Sequence, residues 1–200
     1  MGQSDLRICF VGDSFVNGTG DPECLGWAGR LCAAARRAGH DLTYYNLGVR
    51  RETSADIRAR WEREVRSRLP EGADNRVVFS FGANDATLEE GRPRVTADRS
   101  IEHARAMLTS ARTSYPVLMV GPPPTADAEK NGRLATLSAG FAEVCRELDV
   151  PYLDVLGPLE ASGTWVREAA AGDGSHPGAA GYAELACLVR GWAAWAAWLR

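Results

Sequence analysis

The sequence predicts an α/β protein in three layers, a doubly wound parallel sheet of five strands between two layers of helices. Three observations predict it. Short apolar runs alternate with longer amphipathic stretches, strand then helix, five times along the chain. Glycine and proline punctuate the joints. The unusual polar segments follow the apolar runs, where a doubly wound sheet binds its ligands.

The elements follow in order. A first strand over residues 6–11 runs into Gly12-Asp13-Ser14. An amphipathic helix over 26–38 stops at Gly39. A second strand over 42–46 opens the loop Asn46-Leu47-Gly48-Val49-Arg50-Arg51-Glu52-Thr53, and a helix over 54–69 ends at Pro70-Glu71-Gly72. The third strand, 76–81, delivers Gly82-Ala83-Asn84-Asp85. Residues 89–94 read as a loop and 97–113 as a helix. Pro116 precedes a fourth strand over 117–121, and Pro122-Pro123-Pro124 stop it. The stretch 122–132 reads as a loop, either a lid or a long connection, before a helix over 133–148 and a fifth strand over 151–154. Asp173-Gly174-Ser175-His176-Pro177 then leads into a closing helix from about 178 to 199, with Pro177 expected as its first residue. Trp192, Trp195 and Trp198 lie near one stripe of that helix, expected to pack on the domain or to form an oligomer interface.

Two hundred residues without linker or repeat suit a single domain, 1–200. With 45% apolar residues, 24% charged residues and a net charge of −3, a general nucleic-acid binder is excluded. No apolar run is long enough to span a bilayer. The start, MGQSDLR, lacks the layout of a secretory signal and matches a myristoylation site only weakly. Five cysteines without a CxxC pair argue against a disulfide framework or zinc site; Cys9, Cys32, Cys145 and Cys187 read as small core residues. The expectation is a cytoplasmic protein without cofactor or metal.

A serine hydroxyl becomes a nucleophile only beside a base, and the base needs an orienting partner. His40 sits in a turn at the far end of the sheet, and His103 falls mid-helix, expected on a solvated face. His176 follows Asp173 by three residues, so one compact turn brings carboxylate and imidazole together and leaves Nε2 for Ser14. Candidate donors to a tetrahedral oxyanion are the Ser14 amide, the Asn84 side chain and a backbone amide of the loop after the second strand. Each segment has a bland reading as well: turn, cap or helix start. No Gly-x-Ser-x-Gly elbow or phosphate-binding loop occurs.

Together the segments resemble the SGNH hydrolases, also called the GDSL family of esterases and lipases. Gly12-Asp13-Ser14 resembles its first block, with Phe15 in place of the usual leucine. Gly82-Ala83-Asn84-Asp85 is similar to its Gly-x-Asn-Asp block, and Asp173-Gly174-Ser175-His176 to its Asp-x-x-His block. The resemblance implies a flavodoxin-like fold with strand order 2-1-3-4-5. It also implies Ser14 as nucleophile, His176 as base, Asp173 as its orienter and Asn84 as an oxyanion donor. The second block departs from the family: in the register Asn46…Glu52-Thr53, Arg51 stands where a glycine's amide completes the oxyanion hole. The Arg51 N–H is the expected donor, with Gly48 as its substitute.

The function expected is hydrolysis of short-chain acyl esters, acetyl-type, of a small alcohol or sugar through a Ser-His-Asp acyl-enzyme. An acyltransferase on the same site and a non-catalytic small-ligand module are the alternatives. Asp13, Arg50 and Trp27 are the candidate pocket residues: Asp13 tying the serine loop, Arg50 reading an anionic group or else pairing at the surface with Glu52 or Asp56, and Trp27 walling the acyl side or, the reading favoured, packing in the core.

Overall fold

A computed structural model describes residues 5–200; the N-terminal targeting readings rest partly on Met1 to Ser4, outside them. The chain runs β1 (Leu6–Gly12), α1 (Ser14–Asn17), α2 (Gly26–Arg37), β2 (Leu42–Gly48), α3 (Ser54–Arg66) and β3 (Asp74–Ser80). It continues through β4 (Leu88–Glu89), β5 (Arg92–Pro93), α4 (Ala97–Ala111), β6 (Val117–Val120), α5 (Ala128–Glu147) and β7 (Tyr152–Leu153). It closes with α6 (Leu156–Glu160), α7 (Gly163–Ala171), α8 (Ala179–Gly191) and α9 (Ala193–Trp198).

The five long-range strands pair in parallel in the order β2-β1-β3-β6-β7, which is 2-1-3-4-5 when only those strands are counted. β1 is an interior strand, paired with β2 and β3, and its side chains are largely apolar in both directions, as a strand covered on both faces requires. Ile8 and Phe10 pack with Trp27, Leu31, Tyr182 and Leu185 in one core. Cys9 and Val11, pointing the other way, pack with Ile57, Trp61, Val65 and Phe79 in a second.

Several local expectations change. Residues 89–94 are not an irregular loop: β4 and β5 form a small antiparallel hairpin there. α5 begins at Ala128, not 133, because Asp127 caps it by accepting from the Lys130 N–H at 3.0 Å. The rest of that loop is tied down, with the Thr125 N–H donating to Asn131 Oδ1 at 2.8 Å and the Ala126 N–H to the Gly174 carbonyl at 2.9 Å. α6 and α7 fill 156–171, where no helix was expected; five and nine residues long, they are too short to show a clear period. α8 starts at Ala179 rather than Pro177. The closing helix is two helices, since Trp192 is extended, with φ −77° and ψ 127°. The break lets Trp195 enter the core while Trp192 and Trp198 pack against it half-buried. Cys9, Cys32 and Cys145 are buried, whereas Cys187 is exposed rather than a core residue.

Candidate active site

The position of Ser14 is set by the end of β1. A Cβ on Gly12 would fall 1.9 Å from the Ser80 carbonyl oxygen, so only glycine lets β1 leave the sheet there. Asp13 then caps α1, its Oδ1 accepting from the Phe15 N–H at 3.0 Å. Ser14 is the first residue of α1, so its N–H has no partner inside the helix. The second Asp13 oxygen has no partner among the described residues, and burial, only partly offset by the Phe15 N–H, pushes this carboxyl up to about 7.

His176 arrives from the turn between α7 and α8. Asp173 Oδ1 accepts from the N–H groups of Ser175 at 3.0 Å and His176 at 2.9 Å, which winds the turn tightly. Oδ2 faces His176 Nδ1 at 2.7 Å, and His176 Nε2 lies 2.7 Å from Ser14 Oγ, across 162 positions of chain. Partial burial works to raise the Asp173 carboxyl, but the backbone and imidazole N–H groups of His176 outweigh it and hold it at about 2. Ser14 is buried, and the His176 side chain is only 9% exposed. Phe15 packs its ring 4.8 Å from the imidazole centre, which restricts the ring's orientation.

Asn84 lies just beyond β3, where Gly82 turns the chain at φ +118°. Its Nδ2 donates to the Glu52 carbonyl at 2.9 Å, which leaves a second hydrogen on the same nitrogen. Arg51 sits in the loop after β2 with φ +71°, the left-handed region that a family glycine would occupy without strain. Its N–H has no partner among the described residues. The Gly48 N–H is committed, donating to Asn46 Oδ1 at 3.0 Å.

The other candidates divide. Trp27 is not a pocket wall: it is fully buried in the core, edge-on to Phe10 at 5.4 Å between ring centres. Arg50 is 62% exposed and lies 3.7 Å from Asp173 Oδ2, rather than pairing with Glu52 or Asp56. His103 is buried, not solvated, with Nδ1 2.9 Å from Ser54 Oγ. That contact belongs to a network sequence reasoning missed. Buried Asp85 accepts from the Ser54 N–H at 2.8 Å and from the Ser100 hydroxyl, tying the Asn84 loop to α3 and α4. The signal for it is Asp85 itself, a carboxylate following Asn84 at a strand end. Arg60 was also missed; it donates to the Gly12 carbonyl at 3.1 Å and the Leu47 carbonyl at 2.9 Å, bracing the ends of β1 and β2. Lys130 is half-buried near Asp13 and Asp173, and burial lowers its pKa. Among the described residues no group of three or more His, Cys, Asp or Glu is placed to hold a metal, and no helix is long and apolar enough to cross a membrane.

A parallel sheet in this strand order, with its polar loops gathered at the strands' C-terminal ends, is the fold of the SGNH class. The chain belongs to the GDSL-like lipase/acylhydrolase family, matching it over residues 10–184, and is a carboxylic ester hydrolase. In fold it is similar to the lipase/acylhydrolase from Enterococcus faecalis, with TM-score 0.77, 24% identity and 92% of this chain covering 93% of that one. It is similar too to a catalytic mutant of Axe2, an acetylxylan esterase from Geobacillus stearothermophilus, with TM-score 0.78, 16% identity and coverage of 100% and 98%. A lipolytic protein of the G-D-S-L family from Desulfitobacterium hafniense aligns with TM-score 0.73, 18% identity and coverage of 93% and 98%. No curated protein matches the sequence.

Proposed function

We propose that this hydrolase cleaves short-chain acyl esters, acetyl esters of a sugar or other small alcohol, through a covalent acyl-enzyme on Ser14. The observation that carries the reading is the continuous chain Ser14 Oγ, His176 and Asp173, with both hydrogen-bonded distances at 2.7 Å. His176 takes the hydroxyl proton as Oγ attacks the ester carbonyl. The carbonyl oxygen becomes an anion among the N–H of Ser14, the N–H of Arg51 and the second hydrogen of Asn84 Nδ2. His176 then returns its proton to the leaving alcohol, and water, with His176 again as base, releases the acid. Asp173, ionised throughout the neutral range, keeps the imidazole in the tautomer that presents Nε2 to the serine.

The substrate class draws support from the fold neighbours. Mutants of the Geobacillus protein are described as those of an acetylxylan or acetyl-xylooligosaccharide esterase, and the catalytic ones replace a serine, an aspartate or a histidine with alanine. A Ser14→Ala variant is expected to lose about a thousandfold or more in kcat on p-nitrophenyl acetate. A fluorophosphonate is expected to label Ser14 in the intact chain. Undiminished turnover in the variant, or labelling elsewhere only, refutes the reading.

A further inference from the structure

Of the 23 lysines and arginines in the chain, Lys130 alone is a lysine. Its place goes against three ordinary preferences. It stands in the first turn of α5, where the positive end of the helix dipole disfavours a cation. It is half-buried, which costs an ammonium part of its hydration. Among the described residues its ammonium makes no hydrogen bond or ion pair, and its backbone N–H alone is held by the Asp127 cap. A charged side chain placed at such cost, with no return inside the fold, marks a binding position.

The fold carries this lysine to the edge of the Ser14–His176 site. The loop ahead of α5 is fastened to the turn bearing Asp173 and His176, the Ala126 N–H donating to the Gly174 carbonyl at 2.9 Å. The carboxyls whose charge acts on the ammonium are those of Asp13, Asp127 and Asp173, opposed by Arg133. Asp13 precedes Ser14 and Asp173 holds His176, so Lys130 borders both members of the Ser-His pair. None of the three carboxyls is a full counter-charge. Burial keeps Asp13 protonated up to about pH 7. Asp127 is engaged as the cap of α5. Asp173 already accepts three N–H groups and has the Arg50 guanidinium 3.7 Å from Oδ2. Two cations from separate elements, Arg50 after β2 and Lys130 of α5, thus border one carboxylate. That carboxylate orients the imidazole that returns its proton to the leaving alcohol, so these cations border the alcohol half of the ester.

We propose that Lys130 determines specificity: its ammonium pairs with a carboxylate or phosphate on the alcohol half of the ester, so that the substrate is an acyl ester of an acidic sugar or comparable anionic small alcohol. This rests on the esterase reading of the same site and narrows it. The anion of the substrate supplies the partner that the fold withholds.

Three families of aryl acetate test it: the acetyl esters of hydroxybenzoic acid, of its methyl ester and of hydroxyphenyl phosphate, each with the substituent meta or para. The first and third carry an anion on the alcohol half and the second does not. The quantity measured is the ratio of kcat/KM on a charged ester to that on the neutral one, in which the yield of folded protein cancels. Lys130→Gln is expected to lower that ratio by about tenfold for the carboxylate, the phosphate or both, and the arm that responds identifies the anion. Lys130→Arg, which keeps the charge, is expected to retain most of the ratio. Ratios equal in the native chain and in Lys130→Gln overturn the proposal. So does a loss as large in Lys130→Arg as in Lys130→Gln. A second readout needs no turnover. The single lysine of a Ser14→Ala chain, methylated with 13C at its amine, gives one side-chain NMR signal. That signal is expected to shift saturably with a charged ester and not with the neutral one; a signal that both leave in place, or that both move alike, overturns the proposal whatever the kinetics. A native chain without Ser14-dependent turnover would instead defeat the esterase reading and leave the NMR result to judge Lys130.

Discussion

Two carboxylates near Ser14 have opposite environments and call for opposite tests. Asp173 is nearly half exposed but accepts three N–H groups, so it remains charged at any pH at which the protein would be assayed. Asp173→Asn keeps its shape and loses its charge, and it is expected to lower kcat on the order of a hundredfold or more. A smaller kcat change with a matching KM change would mean that the residue binds substrate instead. Asp13 is buried with one oxygen unpartnered among the described residues, and its ordinary value of 3.8 rises to about 7 in the native chain. Unfolded, it releases its proton near its ordinary value; folded, it keeps it until about pH 7. Between those values the native state binds the extra proton, so this group's contribution to stability is full below about 4 and declines as pH rises to about 7. Asn cannot ionise and lacks that decline. The melting temperature of Asp13→Asn is therefore expected to gain on that of the native chain between pH 5 and pH 8; parallel curves would show that Asp13 does not titrate there.

At the scale of single elements, the site depends on how strands end and helices begin. α3 starts with a capping box in which the Thr53 N–H donates to Asp56 Oδ2 at 2.9 Å and the Asp56 N–H returns to Thr53 Oγ at 3.4 Å. Thr53→Ala is expected to lower the unfolding free energy by about 1 kcal/mol in urea titrations. Because Thr53 directly follows the loop that bears Arg51 and Glu52, the cap also ends that loop at a fixed point. β1 is less forgiving. Gly12→Ala places a methyl 1.9 Å from a backbone oxygen that the sheet register holds still, so the variant is expected to accumulate far less folded protein, measured by far-ultraviolet dichroism.

At the scale of the whole molecule, His176 is coupled to the core through neighbouring aromatic rings. Phe15 contacts His176 on one side and Trp165 of α7 on the other, at 6.2 Å, and the buried Trp165 Nε1–H donates to the Pro124 carbonyl at 3.0 Å. These contacts join α7, the loop after β6 and α1. Trp165→Ala removes a fully buried ring and is expected to cost about 3–5 kcal/mol, a fall in melting temperature on the order of 10 °C by calorimetry. The closing tryptophans are largely used within the molecule too: Trp195 is buried, and Arg76 lies 5.3 Å over the Trp198 ring.

What the sequence determined by itself is the sheet, its helical layers and the residues at its C-terminal rim. Apolar runs and breakers are local signals, and Gly12-Asp13-Ser14, Asn84 and Asp173-x-x-His176 each occupy a short stretch at or near a strand or helix end. The tertiary structure alone decided what depends on distant partners. Trp27 faces the core because Phe10 turns toward α2; His103 is buried because Ser54 meets it across two helices; α6 and α7 are too short to announce themselves. The Arg94 contact with Arg51 joins residues 43 positions apart through a carbonyl, a group every residue possesses, so no side-chain pattern encodes it. Backbone acceptors have no sequence signature, and whatever they hold becomes visible only when the chain is folded.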